Sequence, residues 1–357
     1  MILLLRSFLV PAGSVLLAFL TGGILLFLSG SHPVEAYIAL FQGAFGDLSS
    51  IARTLEKATP LIMNGLAIAF ALKAGLFNIG AQGQFLFGAF AAAVAGFYVQ
   101  AIPSVFHIPL AIFAGMTAGG IYGLVQGALK AFSGAHEVIT GIMCNYIAIN
   151  MTDYLVNHPF RDRSPGNIVA RTPQILDTSR FPDVAGIPLG FIAAIIAAIL
   201  VWWIVRYAVF GFEIRVVGSG INAARYSGVR IRSVLMGTML ISGALAGLGG
   251  AVETQGVVHR FQPGFNTGLG FEGITIALLG RVHPLGIIPA AILIGAMKAG
   301  AGMMQFSAGV ENEIIDVIQA LILFFVTADV ILQKILPGIK WAEGERLSLS
   351  TGWGGNS

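Results

Sequence analysis

Apolar runs long enough to cross a bilayer recur along nearly the whole chain, and that recurrence leaves few fold classes open. They read as Phe8–Leu28, Pro60–Leu76, Phe85–Val99, Ile108–Leu129, Val138–Val156, Ile187–Tyr207, Val234–Val252, Phe271–Leu279, Pro284–Met304 and Ile314–Ile335. A helix bonds its backbone internally, so it crosses lipid as a single run of about 20 residues. Phe85–Val99 is short, and Phe271–Leu279 is too short to span alone, so residues 271–280 are predicted as a short or broken helix. The predicted fold class is all-α: a polytopic transmembrane helical bundle of about ten helices, with residues 1–357 forming one membrane domain. Composition points the same way. A chain with 56% hydrophobic residues, 10% charged residues and a mean hydropathy of +0.84 is too apolar for a water-soluble domain of this length. The run after Arg6 is also longer than the apolar core of a signal peptide.

The net charge of +3 is spread between the apolar runs, which suits anionic lipid headgroups and offers no continuous patch for nucleic acid. Retention of Lys and Arg on the cytoplasmic side orients the chain. With the N-terminus inside, Arg6, Lys73, Lys130, Arg206, Arg215, Arg225, Arg230, Arg232, Arg281, Lys334, Lys340 and Arg346 are cytoplasmic. The outside set is smaller: Arg53, Lys57, Arg260, and Arg161, Arg163, Arg171 and Arg180 in one long loop that also holds Asp162, Asp177 and Asp183. Both termini are therefore predicted to be cytoplasmic. Residues 157–186 form the long external loop. Residues 210–234 form a cytoplasmic connection whose apolar positions recur at helical spacing, which predicts a short amphipathic helix, against the simpler reading of a solvated basic loop.

Small residues let helices approach closely in lipid. Gly115, Gly119, Gly123 and Gly127 form one groove on the fourth run, and Gly243 and Gly247 repeat the spacing on the seventh; packing within the chain explains both. Polar side chains at membrane depth carry more information, because each needs a partner or a wet pathway. Asn64, Asn78, Gln82, Gln84, Asn145, Tyr146 and Asn150 are candidates for lining a translocation pathway. Amides offer donors and acceptors without net charge, which suits a sugar hydroxyl or a nucleobase edge. Each could also bond helix to helix, and it is their clustering that favours a pathway.

Charged residues at the spans are few. Glu137 and Glu272 open helical runs, where the helix dipole favours an acid. Glu253 closes the seventh run at its outer end, where it could meet a solute, a partner or bulk water, and it joins the pathway candidates. Lys298 is expected to snorkel outward. Cys144 stands alone, so no disulfide is possible within the chain and no metal-ligand spacing exists. No phosphate loop, H-E-x-x-H or G-x-S-x-G motif is present, and no catalytic or metal residue is assigned. ATP-driven work would have to take place on another subunit.

Asn222-Ala223-Ala224-Arg225-Tyr226-Ser227-Gly228 resembles the E-A-A-x-x-x-G signature through which ABC importer permeases dock onto ATPases, with Asn222 in place of the acid and no I-x-L-P element following. Gly65 to Phe70 and Gly75 to Gln84 are similar to the second and third helix junction of the branched-chain amino acid and ribose permease superfamily. Glu137-Val138-Ile139-Thr140 with Met143, Asn145, Tyr146 and Ile147 resembles the fifth-helix motif of its nucleoside branch.

The resemblance implies a non-enzymatic permease domain that imports nucleosides by alternating access in the bacterial cytoplasmic (inner) membrane. Its implied partners are ABC ATPase subunits holding ATP and Mg, a second permease that is a different paralogue, and an extracytoplasmic solute-binding protein. The chain itself is expected to carry no cofactor. Glu213, Arg215, Asn222, Ala223, Ala224, Tyr226 and Gly228 are the expected ATPase-coupling residues. The alternatives are the same machinery for a simple sugar or a branched-chain amino acid, and an ion-coupled secondary transporter; the latter would be expected to show internal repeats or intramembrane acids.

Overall fold

The computed structural model describes residues 2–182, 188–265, 268–311 and 313–327. The last part of the external loop, with Asp183 and Gly186, lies outside these residues, as do the end of the tenth run and Lys334, Lys340 and Arg346. Among the described residues the fold is all-helical, without strands. The helices are α1 (Ile2–Leu28), α2 (Pro33–Phe45), α3 (Leu48–Lys73), α4 (Ala81–Tyr98), α5 (Ser104–Ser133), α6 (Glu137–Asn157), α7 (Leu189–Tyr207), α8 (Val209–Ser219), α9 (Ile221–Tyr226), α10 (Ile231–Glu253), α11 (Leu269–Leu279), α12 (Pro284–Ala308) and α13 (Glu313–Thr327).

Each apolar run has become a helix, and α2 is a helix that the runs did not announce. Six helices (α1, α3, α5, α7, α10 and α12) are both long and apolar enough to cross a membrane on length and composition alone. The chain is a multi-pass membrane protein, apolar on its outer surface as well as in its core. On α7, Ile192, Ile196, Ile199, Leu200 and Trp203 face outward, as lipid requires.

The centre is α3. Every residue from Ala58 to Leu72 is buried, because α10, α11, α12 and α7 surround it. Its start is fixed by Asp47, whose side chain accepts a 2.6 Å bond from the Ser50 N–H. That backbone bond, with the Ser50 and Ser49 hydroxyls, holds the Asp47 carboxyl below the usual carboxylate range.

The glycine groove works as its spacing predicts. A Cβ on Gly119 of α5 would stand 2.5 Å from the Gly243 carbonyl and 2.7 Å from Gly247 Cα on α10, so only glycine admits this backbone approach. Gly88 of α4 closes on Gly247 from a third side. The tight triple contact of α4, α5 and α10 is the most extensive close backbone packing described in the bundle.

Candidate functional site

The two long connections lie at opposite ends. Gly218 on α8 packs against the Lys73 carbonyl at the end of α3. The Phe181 N–H on the long loop bonds to Gln255 O just beyond α10 at 3.2 Å. The stretch predicted to be either an amphipathic helix or a solvated loop is two helices, α8 and α9. Gly211, Ile214 and Val217 bury one face of α8. On α9, Ala224 is fully buried while Tyr226 is 95% exposed. Asn222, Ala223, Arg215 and Gly228 are exposed and Glu213 is half-buried. Gly228, at φ +72°, ends α9 in the left-handed conformation and lets the Val229 N–H return to Ala224 O at 3.1 Å. The result is a short rigid knob, anchored by Ala224, that presents a polar and aromatic face away from the bundle.

The amides divide into separate groups. Asn78 donates to Gln84 Oε1 at 2.8 Å and to the Ser242 hydroxyl at 2.7 Å; Gln84 returns a bond to Asn78 Oδ1 at 3.1 Å and donates to Gln126 Oε1 at 2.8 Å. Ser242 donates onward to Ala67 O at 2.6 Å, so one buried network ties α3, α4, α5 and α10. Asn145 accepts from the Gly83 N–H at 2.8 Å and donates to Ile79 O at 2.9 Å, pinning α6 to α4. Tyr146 and Asn150 point away on the exposed face of α6, where Asn150 donates to Tyr146 O at 2.7 Å. Gln82 caps α11 by accepting from the Gly270 N–H at 2.7 Å. Asn64 lies where Gly273 of α11 meets α3, and a Cβ on Gly273 would stand 2.8 Å from it. Among the described residues, neither amide atom of Asn64 has a hydrogen-bond partner, nor has Gln82 Nε2.

At the end that carries the long loop, a cavity of about 370 Å³ opens between α3, α10, α11, α12 and α13. Lys57, Glu253, Glu272, Lys298 and Asp316 line it. Lys298 does not snorkel outward: its Nζ donates to Glu272 Oε1 at 2.8 Å, because α11 packs beside α12 and brings a carboxylate within reach. Glu253 is only 4% exposed, which rules out a solvated helix end. Glu137 opens α6 as expected and also receives the Lys130 ammonium at 2.6 Å.

Against this geometry stand the comparisons. A family model described as the branched-chain amino acid transport system permease component matches residues 50–327. The chain belongs to that family. The permease is 39% identical to the guanosine ABC transporter permease protein NupP of Bacillus subtilis over 346 residues, covering 94% of this chain and 97% of the relative. It is 35% identical to the nucleoside ABC transporter permease protein NupB of Lactococcus lactis over 345 residues, 94% of each. It is 32% identical to the glucose ABC transporter permease protein TsgB13 of Haloferax volcanii over 342 residues, covering 92% and 89%.

The described part of the permease's long loop packs onto the helices. Phe160 packs edge-on against Phe90 at 5.4 Å, and Phe90 does the same with Phe261 at 5.5 Å. His107, fully buried, bonds through Nε2 to Ala95 O at 3.1 Å and through Nδ1 to Thr178 Oγ at 2.8 Å. The carbonyl can only accept, so Nε2 carries a proton and donates. On the loop, the Ser164 hydroxyl and N–H, with Arg171, hold the Asp162 carboxyl below its ordinary range. Sequence reasoning missed Gln126, Ser242, Lys57 and Asp316. Gln126 and Ser242 were detectable as polar side chains on glycine-lined faces, whereas nothing local marks Lys57 or Asp316.

Proposed function

We propose that this permease is the membrane-spanning subunit of an ABC importer that moves nucleosides across the bacterial cytoplasmic membrane. The observation that carries the reading is near full-length likeness to two permeases named for guanosine and for nucleosides. The likeness to a glucose permease supports a sugar cargo as the second reading.

In this reading both termini are cytoplasmic and residues 1–357 act as one transmembrane unit. ATPase subunits holding ATP and Mg dock on α8 and α9 through Arg215, Glu213, Asn222, Ala223, Tyr226 and Gly228, with Ala224 as the buried anchor. A second, paralogous permease completes the pathway, and an extracytoplasmic solute-binding protein delivers the solute to the 157–186 loop. Closure of the ATPases pushes the α8–α9 knob as a lever against α3 and α10, and the helices rock between inward- and outward-open arrangements. Asn64, Asn78, Gln82, Gln84, Asn145, Tyr146, Asn150 and Glu253 are carried forward as pathway candidates. Asn78, Gln84 and Asn145, which bond between helices, are struts of that pathway, Tyr146 and Asn150 present the outer face of α6 to it, and Glu253 lines the cavity at the loop end.

The test replaces residues 222–228 with a scrambled sequence of the same composition. Nucleoside uptake should be lost while the chain still inserts at its normal level. Uptake that survives the scramble contradicts docking at α9.

A further inference from the structure

The charged cavity has a chemistry that the coupling account does not use. Lys298 occupies Glu272 Oε1, while Glu272 Oε2 is enclosed with no hydrogen-bond partner among the described residues. An unsatisfied charged acceptor away from water is costly unless a donor reaches it. Two lysines facing three carboxylates disfavour both a strongly anionic and a strongly cationic ligand, and suit a neutral molecule that brings its own hydroxyl donors. The volume falls within the range of small-molecule sites, about 300 to 1,000 Å³. Pro60 lines the cavity, and Asn64, one helical turn farther along α3, is fully buried with both amide atoms unpartnered.

We propose that the cavity is a transit subsite for the diol-bearing sugar half of the solute, with the free oxygen of Glu272 accepting from a ribose hydroxyl. This rests on the nucleoside reading above. Lys298 holds one carboxylate oxygen. A rotation of the Glu272 side chain with Lys298 still bound turns the other oxygen into the cavity. Lys57 donates to the sugar's acceptor oxygens, and Asn64 takes the next polar edge as the solute advances. A carboxylate that is already half-satisfied binds weakly enough to release, as a transit site must.

The test irradiates membrane vesicles containing the full chain with 8-azidoadenosine and maps the adducts by peptide mass spectrometry. Adducts should fall on the cavity segments of α3, α11 and α12. Adenosine should block them at a concentration about tenfold or more below that required of 2′,3′-dideoxyadenosine, because a site built to bond a hydroxyl rejects the analogue that lacks it. Glu272→Gln should bring the two competitors to within about twofold of each other. The exchange Glu272→Lys with Lys298→Glu keeps the ion pair for folding but should not restore the preference. Absence of cavity adducts, equal blocking by the two competitors in the unmodified chain, or a preference that survives in either variant overturns the subsite. Failure of the nucleoside reading shows separately, as nucleoside uptake that is indifferent to removal of the chain.

Discussion

Replacing Gly119 with alanine tests the packing of α5 on α10 directly. The new Cβ would lie 2.5 Å from Gly243 O and 2.7 Å from Gly247 Cα. Ordinary contact begins near 3.4 Å, so α5 and α10 must separate by about 0.9 Å, the difference between 3.4 and 2.5. Both obstacles are backbone and cannot rotate away. Overpacking of this kind costs about 1–3 kcal/mol, while alanine returns up to about 1 kcal/mol of helix propensity. Gly23→Ala on α1 supplies the control, since its nearest neighbour would be Tyr37 Cε2 at 3.5 Å. The propensity gain is common to both substitutions, so the difference between them isolates the clash. Unfolding in mixed detergent micelles followed by circular dichroism should place Gly119→Ala about 1–3 kcal/mol below Gly23→Ala. Equal stabilities would refute the close-approach account.

Three further outcomes are expected. Lys130→Met leaves Glu137 uncompensated in a pair whose side chains are 7% and 14% exposed; it should cost about 3–5 kcal/mol in the same unfolding assay, and adding Glu137→Met should recover part of the loss. Burial first, and then Arg180, lower the His259 pKa below 6.5, so its neutral form contributes stability above the unfolded value that is lost as pH falls through the folded one. The Ile175 N–H bonded to His259 O at 3.0 Å should therefore show a smaller protection factor, taken relative to intrinsic exchange at each pH, at pH 5 than at pH 7.5, and His259→Gln should remove that pH dependence. Tyr226→Ala should leave chain level and unfolding unchanged, because the ring is 95% exposed, yet reduce uptake severely, whereas Ala224→Leu should disturb α9 itself.

Much of this was legible in the sequence where local pattern decides structure. The every-fourth glycines on α5 and α10 announce an interface because only small side chains allow backbone contact, and Ile214 and Val217 mark the buried face of α8. Other features depended on which helices become neighbours. Lys298 reads as a snorkelling residue until α11 places Glu272 beside it, an encounter between residues 26 positions apart. The helix α2 is too short to register as a span. The separation of Asn145 from Asn150 was readable: five residues at about 100° each turn the two side chains about 140° apart, whereas Tyr146 and Asn150 share a face. The cavity itself could not be read, since its five charged residues come from five different helices.

The central claim is cargo and direction, and uptake addresses both. Cells with and without this chain, with ATP supply intact, would be given labelled guanosine, uridine, ribose, glucose and leucine. The account predicts that removing the chain abolishes nucleoside entry and leaves the sugars and leucine untouched. Loss of ribose or glucose entry in place of nucleosides, or no change in any of the five, would contradict it.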